Sequence, residues 1–320
     1  MKQTTFASAA WSHKGKVTRR ERFLAEMDAV IPWPRLLALI EPHYPKAGNG
    51  TQPHLMEVML RIYFMQNWFN LSDPGAEDAL YDSESMRRFA GIELVEDDIP
   101  DESTILRFRH LLEKHRLTEQ IFAEIRTLLE EKRLLLKSGT IVDATIIAAP
   151  PSTKNAEGRR DPEMHQTKKG KDWHFGMKAH VGTDKRGIVH SLTTTAANVH
   201  DSTQMAKLLH GQEREVFGDQ AYWNESHRQS ARALRIRYRI NRRPSRRALT
   251  EHERRINRLR SRARARCEHV FHVVKRLWGF SKVRYRGLAK NTARLFTAFA
   301  LANLYLLRRR LLPQQGSCLL

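Results

Sequence analysis

The hydrophobic period of this chain changes once, near Leu136, and that change limits the possible folds more than any other feature. From Arg22 to Leu136 apolar residues recur at helical spacing, whereas after Leu136 they form short strand-like runs separated by turn residues. We therefore predict a basic flexible arm over residues 1–22, an all-α N-terminal domain over 23–136, an α/β domain over 137–312 and a tail over 313–320.

The order of elements in the second half predicts its architecture. Residues 139–148 are the first strand, 174–182 and 188–195 a hairpin, and 215–217 and 236–240 two later strands separated by a helix. Residues 151–172 are predicted to be a mobile loop. Three antiparallel strands followed by alternating helices and strands are typical of an RNase H-like α/β fold, a mixed sheet flanked by helices. The apolar C-terminal helix, residues 291–312, packs either on this core or on another protomer.

Charge is distributed unevenly along the 320 residues. The net charge is +21, yet residues 1–135 carry 18 basic and 21 acidic side chains while residues 136–320 carry 38 and 14. The second half therefore predicts a polyanionic partner, and duplex DNA, with one charge per ~1.7 Å of axis, fits it through counterion release.

Other partners and compartments fit less well. No apolar run approaches the ~20 residues of a spanning helix, and the N-terminus has no apolar export segment. The only cysteines, Cys267 and Cys318, form no disulfide or zinc pattern. We expect a cytoplasmic, nucleoid-associated protein without a membrane partner.

Three acids stand in unusual contexts. Asp143 lies within the first apolar strand, Asp219 ends a short apolar strand, and Glu268 lies on a very basic helix. A carboxylate among apolar neighbours costs several kcal/mol unless something compensates for it, and a divalent cation is a common compensator. Oxygen ligands favour Mg²⁺ or Mn²⁺ over zinc, so the pattern indicates chemistry on nucleic-acid phosphates. Arg264 and Lys275 fall within about 40° of Glu268 on an ideal helix, which favours contact with a phosphate backbone.

The sequence resembles DDE transposases of bacterial insertion sequences, in the branch named after insertion sequence five. The resemblance covers nearly the whole length. It is carried by these segments: Asp101–Arg109, Val142–Thr145, Trp173–His180, Ala197–Ser202 and Gly218–Tyr222. The signature of that family, Tyr, Arg, Glu and Lys at spacings of three, four and seven, is matched at Arg264, Glu268 and Lys275. Ser261 stands at the tyrosine position.

This resemblance implies a function. Asp143, Asp219 and Glu268 would be the catalytic DDE triad on an RNase H-like catalytic domain, holding two Mg²⁺ or Mn²⁺ ions. The protein would cleave DNA at the terminal inverted repeats of its element and transfer the strands to target DNA, as a homo-oligomer on the DNA. Two alternatives remain open: a related metal-dependent DNA nuclease, and a non-enzymatic DNA-binding repressor derived from a transposase.

Several side chains are candidate DNA contacts besides Arg264 and Lys275. Helix 101–114 has Arg107 and Arg109 near its start, as in a recognition helix, although a solvated amphipathic helix fits equally well because the first half of the chain is not basic. Arg242 and Arg243, with Arg246, Arg247 and the 254–266 run, are predicted to bind phosphates. His200 and Lys178 are further candidates, although Lys178 and His180 fit an exposed strand face equally well. Trp173 and Tyr222 are expected to be buried, with stacking on an extruded base as the alternative.

Overall fold

The computed structural model describes residues 13–49, 52–154, 158–244 and 248–312. Its first part is helical, as the hydrophobic period predicted, with these helices: α1 Arg19–Val30, α2 Trp33–Ile40, α3 Met56–Phe69, α4 Asp73–Asp82, α5 Glu84–Ala90, α6 Glu102–Lys114 and α7 Leu117–Glu131. Helix α1 begins three residues earlier than predicted, because Thr18 and Glu21 form a reciprocal capping box.

The second part is a six-stranded mixed sheet with helices. Its elements are β1 Thr140–Ala148, β2 His165–Lys169, β3 Asp172–Thr183, β4 Val189–Ala196, α8 Met205–Leu208, β5 Glu215–Gly218, α9 Glu225–Ala233, β6 Arg237–Ile240, α10 Glu251–Arg264, α11 Cys267–His272 and α12 Leu288–Leu311. The order across the sheet is β3–β1–β5–β6, and both β2 and β4 pair with β3. β1 runs antiparallel to β3 and parallel to β5, which is parallel to β6.

Strand β2 corrects the prediction of a loop over residues 151–172. Four of its five residues are exposed, and none is apolar. It is held by backbone pairing with the exposed start of β3. Because neither of its faces is buried, its sequence has no alternation of hydrophobic and polar residues from which a strand could be predicted.

Alternation along β1 separates two environments. Ile141 and Ile147 face the main core, which continues into the N-terminal helices, whereas Val142 faces a smaller cluster with Val216 and Tyr222. Helix α12 is part of the main core through Leu295, Phe299, Leu301 and Leu304, all fully buried. The C-terminal helix therefore packs within its own chain, which decides between the two alternatives left by the sequence.

The very basic helix that was predicted to carry Glu268 is interrupted. It breaks between α10 and α11 at Ala265 and Arg266, and it ends in a π-helical turn, Val273–Leu277. Both departures from regular α-helix lie beside the predicted acid Glu268.

Candidate active site

Asp143 lies in the middle of the central strand and is only 6% exposed. Its Oδ1 accepts a hydrogen bond from the backbone N–H of Ala144 at 2.9 Å, and its Oδ2 accepts one from Nη1 of Arg264 at 2.6 Å. Burial raises the pKa of Asp143 to about 6; Arg264 opposes that shift, while the negative charges of Asp219 and Glu268 add to it. The three predicted acids therefore interact electrostatically.

Asp219 directly follows β5, the parallel neighbour of β1. The carboxyl ends of parallel strands share one edge of a sheet, and ligands commonly bind at that edge. Its Oδ1 accepts the N–H of Ala221 at 2.8 Å and so starts the 3₁₀ turn Gln220–Tyr222. One oxygen of Asp219 is thus held by its own turn, which fixes the direction of the carboxylate.

Glu268 lies in the first turn of α11, and its side chain is 60% exposed. Its Oε1 is 3.8 Å from Nη1 of Arg264, the same nitrogen that binds Asp143. Arg264 therefore stands between two of the three acids and neutralises part of their charge.

The turn between β3 and β4 positions the start of α11. Nη1 of Arg266 donates to the carbonyl of Lys185 at 2.7 Å. Gly187 approaches the break so closely that an added Cβ would lie 2.4 Å from the Arg266 carbonyl. The turn itself is organised by Asp184, which is fully buried and accepts the N–H groups of Leu136, Arg186 and Ile188.

The donor set fits a hard divalent cation by its chemistry. It consists of carboxylate oxygens, the ligands that Mg²⁺ and Mn²⁺ prefer, and it carries more negative charge than Arg264 neutralises. Within the described residues, no three His, Cys, Asp or Glu side chains already form a group that could hold a metal. Arg264 holds one Asp143 oxygen that such a cation would need.

Lys275 reaches the same strand from the π-helical turn. Its Nζ donates to Oγ1 of Thr145 at 3.0 Å and to the carbonyl of Ile146 at 2.8 Å. Burial lowers its pKa, and the positive charge of Lys169 adds to that shift. Arg264 and Lys275 thus approach β1 two to three residues apart, on either side of Glu268 in sequence.

Two protein-family models match segments of this sequence. Residues 135–304 match the model described as "Transposase DDE domain", which covers β1, β5 and α11 together with their acids. The chain belongs to the DDE transposase family. Residues 12–111 match a second model, "Transposase domain (DUF772)", which covers the helical region up to α6. Membership implies dependence on a divalent metal in general.

A solved structure also matches the transposase weakly. A chain in the crystal structure of the Mos1 strand transfer complex is 12% identical, with 83% of this chain and 99% of that chain covered and a TM-score of 0.20. A similarity at that level defines neither the fold nor the contacts of the transposase. Within the described ranges, none of its helices is long and apolar enough to cross a membrane.

Several residues that were predicted to contact DNA are buried or form ion pairs inside the transposase. Arg109 is 5% exposed, donates to Asp73 at 2.9 Å and Glu113 at 3.0 Å, and stacks on Tyr285. This corrects the expectation that Arg109 binds DNA, because both ends of its guanidinium are used inside the fold. Arg107, on the opposite side of α6, is exposed and remains a candidate.

Lys178 is also directed inward. Its Nζ donates to Oδ1 of Asp201 and to the carbonyl of Val199, both at 2.8 Å, and its side chain is 12% exposed. His180 is fully buried, and its Nδ1 lies 3.8 Å from Oδ1 of Asp201 without a hydrogen bond to any described residue. Both interpretations of this strand face, DNA groove and solvent, are therefore corrected: the pair belongs to a buried polar cluster behind the acids.

His200 caps the 3₁₀ turn Asp201–Gln204 that precedes α8, since its Nδ1 accepts the N–H of Ser202 at 3.3 Å. The side chain of Asp201 is the partner of Lys178. His200 is exposed and stays a candidate contact.

The basic linker before α10 is partly constrained. Arg242 pairs with Glu253 at 2.8 Å while staying 54% exposed, and Arg243 is exposed. Arg246 and Arg247 lie outside the described residues. Ser261, at the tyrosine position of the family signature, accepts a hydrogen bond from Nδ2 of Asn241 at 3.0 Å and lines an open groove with Arg258 and Arg262.

The two aromatic residues flanking the acids have opposite environments. Tyr222 is fully buried, as expected, and its hydroxyl has no hydrogen-bond partner among the described residues. Trp173 is 67% exposed, so the expectation that it is buried was wrong. It lies where β2 and the start of β3 extend beyond the packed part of the sheet. The hydrophobicity of a single residue could not predict that extension.

Proposed function

We propose that this transposase cleaves DNA at the terminal inverted repeats of its insertion element and joins the exposed 3′-hydroxyls to target DNA. Asp143, Asp219 and Glu268 act as its catalytic triad. The proposal rests on the proximity of these acids. Arg264 contacts Asp143 and lies 3.8 Å from Glu268, and the charges of Asp219 and Glu268 raise the pKa of Asp143. The sheet order β4–β3–β1–β5–β6, with β1 antiparallel to β3 and parallel to β5, supports an RNase H-like fold.

The three carboxylates would hold two Mg²⁺ or Mn²⁺ ions. When bound, the ions supply activation of the attacking oxygen and stabilisation of the leaving oxygen in an in-line displacement at phosphorus. Asp143 and Asp219 are fixed by backbone hydrogen bonds and set the position of the phosphate. Glu268, exposed on the first turn of α11, completes the set by a side-chain rotation.

Arg264 and Lys275 have a second role in this proposal. Both donate to β1 in the protein alone, and both are cations within reach of the cut site. An arriving phosphate competes for the guanidinium of Arg264, since arginine binds phosphate through paired hydrogen bonds. Its transfer from Asp143 to the DNA frees a carboxylate oxygen when substrate is present, so DNA entry and metal binding favour each other.

Phosphates farther along the DNA would be bound by Arg242, Arg243 and the exposed arginines of α10, in a homo-oligomeric complex. We expect Arg107→Ala to weaken binding to the element's ends more than to random DNA, because Arg107 is exposed on the helix that resembles a recognition helix. Competition binding against both duplexes measures the difference, with Lys114→Ala on the same helix as control. Equal losses on both duplexes would leave Arg107 as a non-specific phosphate contact.

The deciding experiment uses a labelled duplex that carries the element's end, with and without Mg²⁺, and the Asp219→Asn variant. Nicking at the repeat boundary that requires Mg²⁺ and is abolished in the variant supports the function and the triad together. A second, unlabelled duplex tests strand transfer. Cleavage without joining would identify a nuclease, and specific binding without cleavage in Mg²⁺ or Mn²⁺ would identify a repressor.

A further inference from the structure

Strands β2 and the first half of β3 form a two-stranded ribbon at one end of the sheet. The register pairs Lys168 with Trp173 and Lys169 with Asp172, which leaves a two-residue turn. Gly170, the first turn residue, has φ 64°, as the type II′ turns of tight hairpins require. Within the part of the chain that the structure describes, neither hydrophobic cluster includes a residue of the ribbon's tip.

The side chains of this ribbon are unusual for a solvated surface. Trp173 is 67% exposed, and Nζ of Lys168 lies 5.9 Å from its ring centroid. A large aromatic ring left in water at a strand position loses the burial that normally stabilises it, so such an exposed ring often marks a contact surface.

The lysines of the ribbon are not paired inside the protein. Within the described residues, Lys168, Lys169 and Lys171 have no carboxylate at ion-pair distance, whereas Lys178 and Lys185 of the same hairpin system do. Strand alternation places Lys168 and Trp173 on one face and Lys169 on the other, with Lys171 in the turn. Positive charge therefore faces outward on both sides and at the tip.

Trp173 of the ribbon lies on the same face of the sheet as the candidate site. Trp173 and Val181 lie on the same face of β3, and Val181 pairs with Asp143. Eight residues at about 3.3 Å each place the tryptophan roughly 26 Å along the strand from the candidate site. The charge of Lys169 also reaches Lys275. One molecule of duplex DNA can therefore contact the ribbon and the candidate site at the same time.

We propose that this ribbon, residues 165–175, enters a groove of duplex DNA tip first. Lys168 and Lys169, on opposite faces, bind phosphates of the two groove walls, Lys171 binds at the tip, and Trp173 packs on sugar and base edges. A groove of DNA accommodates a two-stranded ribbon and presents phosphates on both sides of it. The proposal rests on the proposed function for the identity of the DNA and extends it to a surface outside the triad.

The test measures duplex affinity against salt concentration in the Asp219→Asn background, so that cleavage does not interfere. Lys168→Ala/Lys169→Ala/Lys171→Ala should reduce the slope of log affinity against log salt by about 2.7, since each phosphate contact contributes about 0.9. The control, Lys132→Ala/Arg309→Ala/Arg310→Ala, removes the same charge from exposed positions elsewhere and should leave the slope nearly unchanged. Equal slopes in the two triple variants would overturn the proposal.

Trp173→Ala tests the ring separately, with Leu234→Ala, another exposed apolar residue, as control. We expect several-fold weaker duplex binding for Trp173→Ala alone. A loss confined to single-stranded DNA would overturn the groove contact in favour of base stacking. If the ribbon variants bind DNA normally while the wild type still shows Mg²⁺-dependent cleavage, only the ribbon proposal is refuted. If the wild type binds DNA through the ribbon and never cleaves it, the proposed function is refuted instead.

Discussion

At the scale of single residues, the Asp143–Arg264 ion pair determines the state of the candidate site. Asp143 is buried beside two further acids, and among the described side chains only Arg264 bonds it, at 2.6 Å. Breaking a buried pair is costly because it leaves an uncompensated charge. A cation or a proton is therefore needed whenever Arg264 leaves.

Replacing Arg264 should separate metal binding from catalysis. Arg264→Gln frees the Asp143 oxygen and removes a positive charge, so we expect tighter Mn²⁺ binding without DNA and slower DNA cleavage. Titration calorimetry of the DNA-free protein measures the first effect, and the labelled-duplex assay the second. Arg262→Gln is the control, since Arg262 is exposed on the same helix. Equal Mn²⁺ affinities in both variants would contradict the role given to Arg264.

The raised pKa of Asp143 predicts a pH-dependent cost in the metal-free protein. Its pKa is about 6 when folded and near 3.9 when unfolded, so the folded state holds the proton more tightly. The free energy of unfolding should therefore fall as pH rises from about 4 to 7, by up to ~3 kcal/mol.

Asp143→Asn lacks that titration. In EDTA, its unfolding free energy relative to the wild type should increase over the same pH interval, as measured by urea denaturation at several pH values. Mg²⁺ should reduce the difference at pH 7 by stabilising the carboxylate. Parallel pH profiles for the two proteins would show that Asp143 titrates normally.

At the scale of elements, the position of Glu268 depends on a glycine in a distant turn. Gly187 has φ 86°, and its Cα faces the Arg266 carbonyl where α10 and α11 meet. A side chain at this position would displace the break, and with it the first turn of α11.

Gly187→Ala should therefore lower both stability and DNA cleavage. Gly211→Ala is a matched control, because Gly211 also has φ 86° but has nothing within 4 Å of an added Cβ. Each variant should lose about 1 kcal/mol of stability through its backbone conformation, and Gly187→Ala should lose more. Only Gly187→Ala should slow cleavage. Equal cleavage rates, measured with thermal denaturation in parallel, would show that the turn does not position Glu268.

At the scale of the whole molecule, the helical region and the sheet share one hydrophobic core. Helix α12 belongs to the second half of the sequence, yet Tyr63 of α3 bonds Thr297 at 3.2 Å and Arg308 pairs with Glu26 of α1. Phe122 of α7 packs against Phe296. The boundary predicted near residue 136 is a change of secondary structure inside a continuous core.

This continuity predicts a single cooperative unfolding transition. Calorimetry of the full chain should show one peak whose van't Hoff and calorimetric enthalpies agree. A fragment of residues 137–312 should be poorly folded, since α12 would expose the face that contacts α1, α3 and α7. Two separate transitions, or a stable fragment, would indicate independent domains.

The sequence by itself determined what depends on local pattern. Apolar residues at spacings of three to four predicted the N-terminal helices, and apolar runs predicted β1, β4 and β5 to within one or two residues. The same patterns singled out Asp143 and Asp219, because an acid is rare in or at the end of an apolar strand, whereas Glu268 stood out as an acid on a very basic helix. The transposase family models then matched residues 12–111 and 135–304.

Only the tertiary structure decided which charged side chains are available. Arg107 and Arg109 are two residues apart, and the fold exposes the first and pairs the second with Asp73. Lys178 is largely buried and Trp173 is exposed, the opposite of what their residue types suggest. The reason is the same, because burial depends on what packs against a strand and not on the residue type. The Arg264–Asp143 contact joins residues 121 positions apart in sequence, and the hydrogen bond between Tyr63 and Thr297 joins residues 234 positions apart. No local periodicity records such distances, because they arise from the packing of separate elements.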